Sequence, residues 1–217
     1  MQHDREPTRL VVVLEAGDGA RERLVAAMQT APVACVIIHA RPDETGRSTE
    51  LAELIGLSRS GGAVALIVDA AELARTVGAD GVHVSSVGDG DEHYTTARAI
   101  LGAKATVGVH AGTSRHSAME AGEAGADYIA FGSRDGAIES GEGTDSRLER
   151  IAWWSEVFEV PCIALDVGSA DDALDLAVAG ADFIAVTLAA GQSPAAAAEQ
   201  IRALVAALDE AAHMRGA

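Results

Sequence analysis

The chain has 217 residues, 48% hydrophobic and 23% charged, which is enough apolar material for a packed core and excludes a disordered or collagen-like chain. Sixteen basic against 33 acidic side chains leave a formal net charge of −17, so nucleic-acid backbones are repelled and no nucleic-acid partner is expected. Aromatics are only 3%, and alanine and valine stand in their place, which suits close helix-on-sheet packing.

The first residues, MQHDREPTRL, carry acids and no apolar core segment, so they do not read as a signal peptide, and 1–8 is taken as a tail. From there strands and helices alternate. Strands are expected at 9–14, 33–38, 63–68, 81–84, 106–109, 128–131, 162–165 and 183–186. Helices are expected at 20–30, 48–58, 70–77, 92–101, 114–124, 145–156, 170–179 and 194–212, with 213–217 as a second tail. The strand runs are continuously apolar rather than alternating, the mark of parallel strands covered on both faces. Ser169 before Ala-Asp-Asp, and Ser193 before Pro194, are helix starts. Cys35 and Cys162 lie inside apolar runs and read as buried strand residues. No apolar run reaches membrane-spanning length, so no membrane partner is expected and the location expected is cytoplasmic.

A short repeat marks three joints: VGADGVHV, AGADYIAF and AGADFIAV. Gly78, Gly125 and Gly180 are placed to end helices in a left-handed conformation, and Asp80, Asp127 and Asp182 to tie down the turn into the following strand. Eight strand–helix units in this length give an α/β fold class, a compact single-domain (β/α)8 TIM barrel over 1–217. An open doubly wound sheet is the alternative, weakened because no Gly-x-Gly-x-x-Gly follows the first strand.

In such a barrel the chemistry sits at the C-terminal strand ends. The polar residues there are His39 and Arg41 after strand two, Asp69 after strand three, and His83, Ser85 and Ser86 on and after strand four. They continue with His110 and Thr113 after strand five, Ser133 and Arg134 after strand six, Asp166 and Gly168 after strand seven, and Thr187 on strand eight. Arg41 can bind phosphate bidentately. Asp69 reads equally as a helix N-cap or a metal ligand. His83, flanked by valines, reads as a packed core histidine, His110 as the better acid–base candidate, and His116 as a solvent-facing helix residue. The glycine-rich stretch 132–144 reads either as a lid or as a plain surface loop, and GDGDEH at 88–93 as a solvated turn.

With these residues in place the chain resembles the thiamine-phosphate synthase and TenI (thiazole tautomerase) superfamily over about residues 10–190, as a divergent member. The best segments are LIVDAAELARTVGADGVHVSS, VGVHAGTSRHSAMEAGEAGADYIAFGS and VPCIALDVGSADDALDLAVAGADFIAV. The family synthase joins hydroxymethylpyrimidine diphosphate to a thiazole phosphate with Mg²⁺, a transferase reaction of thiamine biosynthesis. The resemblance therefore implies a small phosphorylated heterocycle as substrate and Mg²⁺ as cofactor, with Asp69 as the metal ligand. It implies Arg41 and His110 as catalytic residues. It makes His39, Arg41, Ser86, Thr113, Ser133, Asp166, Gly168 and Thr187 the substrate-binding set. Several family positions differ here: Asp43 stands where the family has lysine, Ser86 replaces glutamine, and Asp166-Val167 replaces the phosphate-binding Gly-Gly. A non-catalytic paralogue that binds a phosphorylated ligand or a protein partner is the second reading. A homodimer is the default for assembly.

Overall fold

The structure is a computed structural model and describes residues 6–40, 47–85, 90–132 and 146–216. Eight strands alternate with eight helices. The strands are β1 (Arg9–Glu15), β2 (Cys35–His39), β3 (Val64–Val68), β4 (Gly81–Val84), β5 (Thr106–Gly112), β6 (Ile129–Phe131), β7 (Cys162–Ala164) and β8 (Phe183–Leu188). The helices are α1 (Ala20–Thr30), α2 (Arg47–Ser60), α3 (Ala71–Val77), α4 (Gly90–Leu101), α5 (Arg115–Glu123), α6 (Arg147–Val157), α7 (Ala170–Val178) and α8 (Pro194–Gly216). The strands pair in parallel, each with the next, and β8 closes on β1 with Val11 opposite Ala185 and Val13 opposite Thr187. The sheet is a closed barrel, so the open-sheet alternative falls.

Two apolar layers follow from the pleat. Val11, Cys35, Ile37, Leu66, Tyr128, Ala130, Ile163 and Ala185 fill the barrel interior. Val12, Leu14, Val36, Ile38 and Ile67 point outward and pack with Leu24, Leu54, Ile55 and Trp154 of the helices. With both faces covered, neither leaves a polar stripe in the sequence. Both cysteines are buried and unbridged, and burial pushes the Cys35 thiol up to about 12, so it stays protonated.

The repeat does more than shape turns. Asp80, Asp127 and Asp182 accept the backbone N–H groups of Ala65, Val107 and Cys162 at 2.8, 2.7 and 2.8 Å, each on the preceding strand. Three strand pairs, β3–β4, β5–β6 and β7–β8, are thereby stitched at the N-terminal end of the barrel. Gly78, Gly125 and Gly180 take φ of 73°, 94° and 107°, as expected from their positions after helices. Ser169 caps α7 by accepting the Asp172 N–H, and Ser193 accepts the Ala196 N–H at the start of α8.

Several boundaries differ from the sequence expectation. β5 runs on through His110 to Gly112, because Ala111-Gly112 lacks the β-branched signal yet still pairs with β6 across a register shift. α4 begins at Gly90, so the acidic stretch read as a turn is helical from there. α8 extends beyond Ala212 to Gly216, where Arg215 donates to Ala177 O at 3.1 Å and to Thr8 Oγ1 at 3.2 Å. Those two hydrogen bonds dock the expected C-terminal tail against α7 and the residue before β1. Among the described residues no helix is long and apolar enough to cross a membrane.

Candidate active site

The C-terminal strand ends enclose a cavity of about 540 Å³, within the range of roughly 300–1,000 Å³ usual for small-molecule sites. Val13, Ile37 and Leu165 give it apolar walls, and Glu15, His39, His83, Ser85, His110, Asp166 and Thr187 give it polar ones. Each polar residue comes from a different strand or from within two residues of its end, apart from His83 and Ser85, which share β4 and its end. His39, His110, Asp166 and Thr187, expected from the sequence, therefore face one cavity. Thr113 is exposed on the turn before α5 and Gly168 is exposed beyond β7; neither lines the cavity. Arg41, Ser86, Ser133, Arg134 and the 133–144 part of the glycine-rich stretch lie outside the described residues.

His110 sits inside β5 rather than past its end, and is 5% exposed. Its Nε2 lies 3.1 Å from Gly132 O. A carbonyl only accepts, so that nitrogen carries the hydrogen. His83 is buried, as expected of a core histidine, but it also borders the cavity. Burial, with His110 and His39 nearby, pushes its pKa down to about 3 and keeps the ring neutral. His116 is exposed, as expected, and its Nε2 lies 3.1 Å from Glu120.

Asp69 does not cap α3, whose N-cap is Ala70. Its carboxylate instead accepts the Ser85 N–H at 2.7 Å and the Ser85 hydroxyl. Asp69 and Asp166 have φ of 54° and 55°, the two positive values outside glycine among the described residues. Both stand where strands end at the mouth. Non-glycine residues in this region carry strain that persists where the surroundings over-determine it. Partial enclosure at the cavity holds the Asp166 carboxyl above the usual carboxylate range, against the pull of His110, Arg147 and His39.

Three contributors escaped the sequence reading. Glu15 ends β1 at the cavity. Arg147, the first residue of α6, donates to the carbonyls of Leu165 and Asp166 and grips both Asp172 oxygens at 2.7 and 2.6 Å, bracing the chain beyond β7. A cation at a helix start opposes the dipole, and that anomaly is its one sequence signal. Tyr128 hydrogen-bonds His83; it occupies the position held by Gly81 and Phe183 in the other repeats, and it alone brings a hydroxyl there.

A family model described as thiamine monophosphate synthase matches residues 10–190. A thiamine-phosphate synthase of Erythrobacter litoralis is 40% identical over 184 residues, covering 83% of this chain and 79% of that protein. One from Rhodospirillum centenum is 42% identical over 167 residues, covering 75% and 78%. Among solved structures, thiamine phosphate pyrophosphorylase of Pyrococcus furiosus superposes with a TM-score of 0.72 at 21% identity over 94% of this chain and 96% of that one. Mycobacterium tuberculosis tryptophan synthase does so with a TM-score of 0.70 at 13% identity over 93% of each chain, a likeness of fold alone. With a matched segment that runs from β1 through β8, and relatives of this identity over most of their length, the chain belongs to the thiamine monophosphate synthase family.

Proposed function

We propose that the protein is a thiamine-phosphate synthase, joining hydroxymethylpyrimidine diphosphate to a thiazole phosphate. The observation that carries the reading is the cavity at the barrel mouth, where His39, His110, Asp166 and Thr187 meet. In this reaction the bond from the pyrimidine methylene carbon to the diphosphate oxygen breaks, and the diphosphate leaves with the electron pair. The thiazole nitrogen then supplies the pair that forms the new carbon–nitrogen bond.

Arg41 is assigned to orient the departing diphosphate and His110 to exchange a proton with it. His39 and Asp166 on the cavity wall, with Ser86 beyond β4, are assigned to the heterocycles' polar edges. Ser133, Thr187 and the chain at Gly168 are assigned to the thiazole phosphate.

Mg²⁺ is expected to need one or two carboxylates, with substrate phosphates completing its shell. The described donor set fits that modest demand: Asp69 offers a carboxylate and Ser85 a hydroxyl, two hard oxygen groups already held together. Bound there, the ion would neutralise charge on the leaving diphosphate. The protein's own part is to hold Asp69 and Ser85 in register across β3 and β4.

Expression in a bacterium lacking its own thiamine-phosphate synthase tests the assignment. Growth without added thiamine is expected. Failure to grow, with soluble protein present, counts against synthase activity and favours a ligand-binding paralogue.

A further inference from the structure

Below the cavity floor lies a buried pair that the reaction scheme above does not use. Tyr128 and His83 are 5% and 4% exposed, and the Tyr128 Oη lies 2.7 Å from His83 Nδ1. We propose that Tyr128 is a positioning residue whose phenol holds His83 in the tautomer with its hydrogen on Nε2, giving the cavity a neutral, fixed N–H donor for an acceptor atom of the bound ligand.

Counting hydrogens decides the direction of the bond. If His83 Nδ1 donated, the phenol hydrogen would be left buried, because among the described residues His83 is the phenol's hydrogen-bond partner. An unmet buried donor costs about 1–3 kcal/mol. If the phenol donates, its hydrogen and the Nδ1 lone pair satisfy each other and the ring hydrogen moves to Nε2. That nitrogen has no hydrogen-bond partner among the described residues, and His83 borders the cavity.

The barrel is built around this pair. Gly108 sits mid-strand in β5, and a Cβ added there would stand 2.0 Å from the Tyr128 ring. A glycine inside a strand weakens it, and here its missing side chain is the slot for the phenol. The Tyr128 and His83 rings stack at 5.9 Å with 13° between planes, and His83 stacks on His110 at 6.2 Å with 27°. A ring that accepts the phenol hydrogen at Nδ1 carries a single hydrogen of its own and is therefore neutral. A neutral donor suits an acceptor that carries a lone pair and little charge, such as a heteroaromatic ring nitrogen, and it also serves a phosphoryl oxygen.

What the donor meets rests on the synthase reading; the tautomer does not. The test is long-range ¹H–¹⁵N NMR of histidine side chains in the free protein. A His83 spectrum with hydrogen on Nε2 and none on Nδ1 is expected. Hydrogen on Nδ1, or an even mixture of tautomers, overturns the proposal whatever the protein catalyses. The Tyr128→Phe variant is expected to turn the His83 signal into a mixture. It should lower kcat/KM by about three- to tenfold, the loss of one hydrogen bond, with a cooperative melt retained at a temperature lowered by a few degrees. A variant with an unchanged tautomer and unchanged kcat/KM also overturns it. If no thiamine phosphate forms at all, the synthase reading fails, and the spectrum still decides the tautomer.

Discussion

The Asp69 carboxylate accepts the Ser85 N–H at 2.7 Å and the Ser85 hydroxyl, tying the end of β3 to the end of β4. This contact holds Asp69 at φ 54°, a conformation that most side chains avoid and that aspartate tolerates better than most. The same conformation recurs at Asp166 across the mouth, where no Ser85-like partner repeats it among the described residues. Asp166 lines the cavity and Asp69 grips Ser85, which also lines it, so strain at these two strand ends fits a site held for function rather than for stability.

Asp69→Asn separates these roles. An amide keeps the oxygen that accepts the Ser85 N–H and keeps the tolerance of positive φ, so stability should stay within about 1 kcal/mol of wild type. The lost negative charge should raise the Mg²⁺ concentration needed for half-maximal synthase activity by at least on the order of tenfold. A Mg²⁺ titration of initial rates, beside a denaturant melt, measures both.

Asp166→Gly should be more stable than wild type by about 1 kcal/mol, because glycine adopts φ 55° without strain. A pH effect adds to this. The folded carboxyl holds its proton more tightly than the unfolded one, whose ordinary value is 3.8. Its contribution is fully present below that value and is lost as pH rises through the raised folded value. The variant's advantage should therefore widen as the pH leaves the acid range. Synthase activity should fall at the same time, a trade of function for stability. Urea melts across pH, paired with rates, check both.

His83 should make the protein acid-sensitive. In the unfolded chain the imidazole takes a proton near pH 6.5, while in the fold it refuses one until about pH 3. Its contribution is present above 6.5 and lost as pH falls toward 3, at up to about 1.4 kcal/mol per pH unit for one proton. The His83→Phe variant should show a shallower decline over the same window. Comparing unfolding free energies of the two proteins at several pH values isolates this term.

Gly81 opens β4, and a Cβ there would lie 1.7 Å from the backbone oxygen of Thr106. No side-chain movement relieves that clash, so Gly81→Ala should cost about 3 kcal/mol or more. Gly108→Ala, opposed by a ring that can shift, should cost less. Chemical denaturation of both variants ranks them.

Much of the barrel was legible because each of its local signals points the same way. Continuous apolar strands, alanine-rich helices and the Gly-Ala-Asp joints are all read within a few residues. The end of β5 was not legible: His110-Ala111-Gly112 has little strand propensity and is held by pairing with β6. The last turn of α8 hid for the same reason, since Arg215 finds its partners far away in sequence. His39, His110, Asp166 and Thr187 could be placed at one mouth from the barrel rule alone. Tyr128 and Arg147 could not, because their roles depend on which residues lie across the barrel and not on their neighbours in sequence.

The most direct measurement is a product assay on purified protein supplied with hydroxymethylpyrimidine diphosphate, thiazole phosphate and Mg²⁺. The expected result is thiamine phosphate and diphosphate in equal amounts, with the rate falling by about 100-fold or more when His110 is replaced by alanine. Absence of product from well-folded wild-type protein, or an undiminished rate in the His110 variant, would contradict a synthase centred on this cavity.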